Sequence, residues 1–223
     1  MTDVDNIFKK FYKALSKNKI SKAKNFLQYI PLDYRGIIGS GHYGKINGKF
    51  SVIGVIILKE NIELLTHALE KGYHKYNFCN LPNSTAPDII FILENFVFSN
   101  FMGDRMNEDV SIPMTRIIEE LTRAGYDWSR MYNITNNDYE EETNALFNVL
   151  TYAIDHKKLS LDMMTYANTI FKILLMNNPS LATCNRTKTF NDGDIISHSL
   201  GYLLTIEHQE LGLSDFYAYI KNL

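Results

Sequence analysis
Large apolar residues recur at i, i+3 and i+4 along most of this chain, the spacing of helices with one buried face. The clearest cases are "LLTHALEKGYHKYN" (64–77), "IIEELTRAGYDWSR" (117–130) and "IFKILLMNNPSLAT" (170–183). Each opens on two large apolar residues and reaches Gly72, Gly125 or Asn178 at the same offset. Those three positions therefore stand 53 residues apart (125−72 and 178−125). Gly or Asn there predicts a helix C-terminus, where the chain enters the left-handed region. A second apolar segment precedes each helix, over 49–61, 86–100 and 143–158, and pairs over 6–32 and 195–223 fit the same template. The β-branched run at 52–57 suits a strand by propensity alone, but its place just before a strong amphipathic helix predicts a helix.

The pattern predicts an all-α chain, a solenoid of about five helix–turn–helix units in a single domain over 1–223. The units run over 1–36, 49–80, 86–133, 143–185 and 194–223, with residues 37–48 as a glycine-rich connecting loop. One helix pair cannot bury its apolar face alone, whereas stacked neighbours make a continuous core. The lysine-rich first unit, with Lys9, Lys10, Lys13, Lys17, Lys19, Lys22 and Lys24, suits a solvated cap.

The segment "KFSVIGVIILKENIELLTHALEKGYHKYN" resembles an ankyrin repeat. Lys59, Glu60 and Asn61 sit where ankyrin units turn between helices. Ile62, Leu64, Leu65, Ala68 and Leu69 match the apolar face of the outer helix, and Gly72 matches the glycine that ends it. "RIIEELTRAGYDWS" matches at corresponding places and "TIFKILLMNNPSLAT" more loosely. The Thr-Pro-Leu-His opening of the family is missing from every unit. The 53-residue step (125−72) exceeds the family's period of roughly 33, so the resemblance implies a divergent ankyrin-like array with insertions near 99–113 and 158–165.

Composition narrows the function classes. Of 223 residues, 45% are hydrophobic and 22% charged, ordinary for a folded protein. A net charge of −2 creates no field that would gather nucleic acid or anionic membrane, so neither is an expected partner. No apolar run approaches the roughly 20 residues of a spanning helix, and the N-terminus shows no secretory signal. Cys79 and Cys184 form no metal or redox spacing, as expected of a reduced, cytoplasmic chain. Heavy use of Asn, Lys, Ile and Tyr points to an AT-rich genome, bacterial or viral, and a protein delivered into a host cell without a visible signal also fits.

Candidate chemistry is sparse. Gly39, Gly41 and Gly44 reproduce the spacing of a kinase glycine-rich loop, but the lysine that would reach the phosphates is replaced by Ile56. No His-Arg-Asp or Asp-Phe-Gly follows, and Lys45 makes no Walker loop. A nucleotide-binding or enzymatic domain using Gly39–Gly44 is the alternative, and a self-associating helical bundle is another. The six histidines show no metal spacing; "IEHQE", with Glu207, His208 and Glu210, reads as a polar helix end. The acidic cluster at 136–142 is expected as a helix N-terminal turn. "NDGD" (191–194) reads as a turn, with Asp194 or Ser197 as a helix cap. No catalytic residue, cofactor or metal is assigned.

Aromatic residues carry the strongest binding signal. Tyr73, His74 and Tyr76 follow Gly72, while Tyr126, Trp128, Arg130 and Tyr132 follow Gly125. Resemblance to ankyrin arrays implies that these segments are fingers contacting a partner protein. Trp, Tyr and Arg dominate binding hot spots, because each joins a large contact area to a polar handle. The expected function is a non-catalytic protein–protein interaction module, an effector or inhibitor that occupies its target's surface through the fingers and concave face.

Overall fold
Seven consecutive apolar or glycine residues, Val52–Leu58, form helix α3, and every one of them is buried. A helix apolar on all sides belongs in an interior, which settles the strand-or-helix ambiguity of this stretch in favour of helix. The computed structural model describes residues 3–37, 49–76, 111–135, 137–147, 172–207 and 218. The other helices of this part are α1 (Asp3–Ser16), α2 (Ile20–Leu27), α4 (Ile62–Glu70) and α5 (Ser111–Arg123); α1 packs on α2, and α4 packs on α2, α3 and α5. Phe8, Phe11 and Leu15 of α1, Leu64, Leu65 and Ala68 of α4, and Ile117, Ile118 and Leu121 of α5 join α3 in one core. Asp3 and Asp5 in the first turn of α1 and Lys13 in its last complement the helix dipole.

The all-α solenoid is not what forms. Six strands occur among the described residues, in two antiparallel sheets. β1 (Arg35–Ile37) pairs with β2 (Lys49–Ser51) ahead of α3. β3 (Tyr132–Thr135), β4 (Tyr139–Thr143), β5 (Asn185–Phe190) and β6 (Ile195–Ser199) make a sheet in that order. Of the acidic cluster, residues 137–142 are therefore a turn and most of β4, not a helix start, and the helical residues 145–147 begin after Asn144. Residues 195–199, expected as helix, are β6, and α6 (Leu200–Glu207) begins one residue later. Tertiary pairing overrides local propensity here: Glu141 of β4 stands opposite Lys188 of β5, which offsets the poor strand propensity of three successive glutamates. The first segment of the 86–133 unit (86–100), the insertion at 158–165 and the Gly39–Gly44 spacing lie outside the described residues.

The hairpins hand over to helices by one device. Ser51, last in β2, accepts a hydrogen bond from Gly54 N at 3.0 Å. Asn144, just after β4, accepts from Leu146 N at 3.0 Å and Phe147 N at 3.2 Å. Ser199, last in β6, accepts from Tyr202 N at 3.1 Å. Each side chain satisfies amides that a helix start would otherwise leave orphaned. Ser199 thus takes the capping role expected of Asp194 or Ser197. "NDGD" is a turn, with Gly193 at φ +94°.

Helix ends repeat a second device. Asn18, Glu60, Gly72 and Gly125 all have positive φ, of 51°, 50°, 85° and 78°. After α5, Gly125 N donates to Thr122 O at 3.0 Å and Tyr126 N to Leu121 O at 2.9 Å, a full Schellman motif. The left-handed prediction thus holds at Gly72 and Gly125. It fails at Asn178, whose φ is −142°; there the chain extends into a 3₁₀ turn over Pro179–Thr183 instead.

Gly36 of β1 has a different reason to be glycine. Its φ is ordinary, but a Cβ there would stand 2.1 Å from the Phe8 ring of α1. The Phe8 ring also meets Tyr34 at 5.4 Å between centroids. Tyr34 donates its hydroxyl hydrogen to Asp5 Oδ1, so the hairpin is clamped to the first helix by packing and by one polar contact.

At Gly125 nothing lies within 4 Å of an added Cβ, so substitution tests backbone strain alone. Gly125→Ala is expected to cost about 1–2 kcal/mol in chemical unfolding, with Gly125→Asn losing less. Equal stability of all three would remove the left-handed requirement.

Candidate functional site
Folding back of the chain after each glycine decides where the aromatic candidates go. The Schellman turn at Gly125 returns the chain over α5, so Tyr126 and Trp128 are buried against the helix they follow. Their rings meet edge to face at 4.7 Å and 67°. Trp128 Nε1 donates to Thr122 Oγ1 at 3.0 Å, and that hydroxyl donates in turn to Ile118 O at 2.7 Å. The indole is thus satisfied inside its own segment. Tyr132 opens β3 and is buried, while Arg130 is exposed.

Tyr73 is a buried fastener between helix pairs. Its hydroxyl hydrogen is shared between Leu27 O, on the last residue of α2, at 2.9 Å and Ile30 O, just beyond it, at 2.6 Å. Burial pushes its pKa up to about 12, so the proton stays in place over the physiological range. His74 is partly buried, and its buried Nδ1 has no hydrogen-bond partner. Of Tyr76, only the backbone belongs to the described residues, in the 3₁₀ turn Tyr73–Tyr76. Tyr73, Tyr126, Trp128 and Tyr132 therefore occupy the core, and Arg130 is the exposed side chain among the described candidates.

A surface that the aromatic reading overlooked is the four-stranded sheet. Its register places Ile134, Glu141, Lys188 and Ile196 in one row across the four strands. At the centre, Arg186 Nε donates to Glu141 Oε1 at 2.5 Å and a terminal guanidinium nitrogen to Oε2 at 3.0 Å, both side chains being buried. Lys188 Nζ lies 3.7 Å from Glu141 Oε2 and 4.2 Å from the Tyr139 ring centroid. With both carboxylate oxygens held by one guanidinium, Glu141 fastens the β3–β4 hairpin to the β5–β6 hairpin rather than moving protons. Asn191 adds a second tie at the loop ends, donating from Nδ2 to Asn137 O at 2.7 Å.

The opposite face is exposed over most of its area. Thr135, Glu140, Thr189 and Ile195 form one row, and Asn133, Glu142, Thr187 and Ser197 another. Among the described residues the sheet ends on β6, which carries an isoleucine to each face: Ile195 is 67% exposed and Ile196 44%. No charged residue occurs within β6. Beyond it Tyr202, 52% exposed, stacks on His198 with centroids 4.9 Å apart. The strand signal was present in the sequence. "NDGD" between "NRTKTF" and "IISHS" is a turn flanked by β-branched residues, which is a hairpin signature.

Among the described residues no three His, Cys, Asp or Glu side chains gather to hold a metal ion. No helix there is long and apolar enough to cross a membrane. Burial pushes the Cys184 thiol up from its usual pKa, and the Asp127 charge adds to this.

Two outcomes are expected. Glu141→Gln leaves Arg186 buried without its counter-charge and is expected to cost about 3–5 kcal/mol by urea unfolding, while the joint Glu141→Leu/Arg186→Met variant recovers much of that. Burial, with the Lys75 charge second, holds the His74 imidazole below its ordinary value of 6.5. The stability this contributes is complete above the unfolded pKa and is lost as pH falls from there through the lower folded pKa. Between about pH 7.5 and about 5.5 the wild type should therefore lose more stability than His74→Gln; equal losses would mean that His74 charges freely. No family model matches this chain, and no curated protein or solved structure does either.

Proposed function
We propose that this chain is a non-catalytic protein-binding module, related in design to ankyrin arrays, in which helix pairs alternate with projecting hairpins. The partner contributes an extended segment that adds to β6 as a fifth strand of the sheet. The carrying observation is β6 itself: among the described residues it is an edge strand of the four-stranded sheet, without a charged residue and bearing an exposed isoleucine on each face. Strand addition draws affinity from main-chain hydrogen bonds and specificity from side chains alternating between the two faces. Ile195 and Ile196 supply one apolar grip per face, and the neighbouring Tyr202–His198 stack supplies an amphipathic one. The ankyrin resemblance is supported by the α3–α4 pair, its turn at Lys59–Asn61 and the left-handed Gly72 and Gly125. The binding segment favoured is thus the last hairpin, rather than the aromatic clusters after the glycines.

The test is capture of partners by wild type and by an Ile195→Lys/Ile196→Lys variant. Both positions are exposed, so circular dichroism and thermal midpoint should be unchanged. The expected result is loss of a partner by the variant, together with slowed amide exchange at residues 195–199 in the wild-type complex. A partner that binds the variant equally well, or a complex in which those amides exchange as in the free protein, sinks the strand-addition reading.

A further inference from the structure
An edge strand that no charge protects is open to further pairing, and proteins ordinarily blunt such edges with lysine or proline. β6 carries neither along Ile195–Ser199, and it is the last strand of its sheet among the described residues. Ile195, Ile196, Ser197 and Ser199 are all exposed. The backbone groups that β6 offers follow from one hydrogen bond in the turn before it. Phe190 N donates to Asp194 O at 2.8 Å, so Phe190 and Asp194 form a hydrogen-bonded pair. Bonded and non-bonded pairs alternate along an antiparallel ladder. Lys188–Ile196 and Arg186–His198 are then bonded pairs, and Thr189–Ile195 and Thr187–Ser197 are not. The 3.4 Å between Thr187 Oγ1 and Ser197 Oγ agrees, because side chains come closest in non-bonded pairs. Ile195 and Ser197 therefore turn their N–H and C=O groups away from β5, toward the open edge.

Two copies related by a two-fold axis can use these groups in one favourable register. With Ile196 on the axis, Ile195 of each copy exchanges both main-chain hydrogen bonds with Ser197 of the other. Ile196 then faces Ile196 of the second copy in a non-bonded pair, the closest approach a sheet allows, and two exposed apolar side chains cover each other. Two residues to either side on the same face, Asp194 meets His198 of the second copy, a carboxylate opposite an imidazole donor. Lys188 stands one strand back in each copy and already lies 3.7 Å from Glu141 Oε2, so the two sheets meet without repulsion. Centring the axis on Ser197 instead would set Ile196 against His198. It would also draw Ser199 into the ladder, where it already caps α6.

We infer that two copies of this chain pair through β6 about an axis at Ile196, merging their four-stranded sheets into one when no other partner holds the edge. The same patch is used by both copies, so the assembly closes at two rather than growing into a fibre. Strands of five residues bury less than a standard interface, so the dimer is a weak one. This inference rests on the reading of β6 as a pairing edge, and a foreign segment would compete with the second copy for it.

The experiment is cysteine cross-linking of the whole chain under mild oxidation, beside sedimentation velocity from about 1 to about 300 μM, a range suited to a weak dimer. In the register above, the two Ile196 Cα atoms stand about 4.5 Å apart, within the span of a disulfide. The two Ser197 residues are diagonal neighbours at about 7–8 Å, beyond that span. Ile196→Cys is expected to form a covalent dimer about tenfold faster than Ser197→Cys or wild type, whose Cys79 and Cys184 set the background. Ile196→Lys sets two ammonium groups across the axis and is expected to sediment as a monomer throughout, with an unaltered thermal midpoint. A wild type that stays monomeric at the highest concentration, or Ile196→Cys linking no faster than Ser197→Cys, would overturn the inference. A monomeric wild type that still loses a captured partner on Ile195→Lys/Ile196→Lys substitution would remove the dimer alone. A dimer cross-linked at position 196, with a partner that binds that variant as tightly as wild type, would uphold the dimer and remove the foreign segment.

Discussion
A helix of two turns with no exposed side chain has no independent stability, and much of this structure exists to keep α3 in place. Its N-terminus is buried, so its first amides cannot be left to water; Ser51 satisfies one of them from the last position of β2. The hairpin is thereby part of the helix, since a shift of β2 would remove the cap. At the other end Glu60 accepts a left-handed conformation that costs an ordinary residue energy, and so turns the chain into α4. Tyr73 then closes the arrangement by tying the turn after α4 to carbonyls at and just past the end of α2.

The C-terminal half solves a related problem with polar groups. Its hairpins are too short to stand alone, and they join through a buried ion pair whose two hydrogen bonds demand one relative position of β4 and β5. A buried pair of this kind contributes more to specifying an arrangement than to net stability. Hydrophobic contact between two short ribbons would tolerate sliding, whereas a guanidinium fork on a carboxylate does not.

Legibility from sequence followed the range of the interaction responsible. α3, α4 and the left-handed glycines are local features, written in periodicity and residue type, and they were readable. β4 was not, because a run of glutamates becomes a strand only when Lys188 and Arg186 arrive from more than forty residues away. The β5–β6 hairpin was readable in principle from its turn and its alternating threonines, but a helical template claimed "IISHSLGY" first. The aromatic candidates show the reverse error. Tyr126 and Trp128 have the composition of an interface, yet their burial is decided by two backbone hydrogen bonds at Gly125 that send the chain back over α5. Composition alone does not carry that direction. The sheet edge is assembled from distant segments, so it could not be located before the strands were paired.

The contact between Gly36 and the Phe8 ring has a consequence for how this segment can change over evolutionary time. Hairpin registers are ordinarily dictated by the length and geometry of the connecting turn. Here the ring acts as a doorstop: sliding β1 by one position would bring Arg35 or Ile37 onto Phe8, and neither fits. Because alignment is enforced from α1, the intervening residues 38–48 are released from that duty. Register in this hairpin is thus inherited from the helix that precedes it, so a change in the length of the connection would not by itself shift the strands.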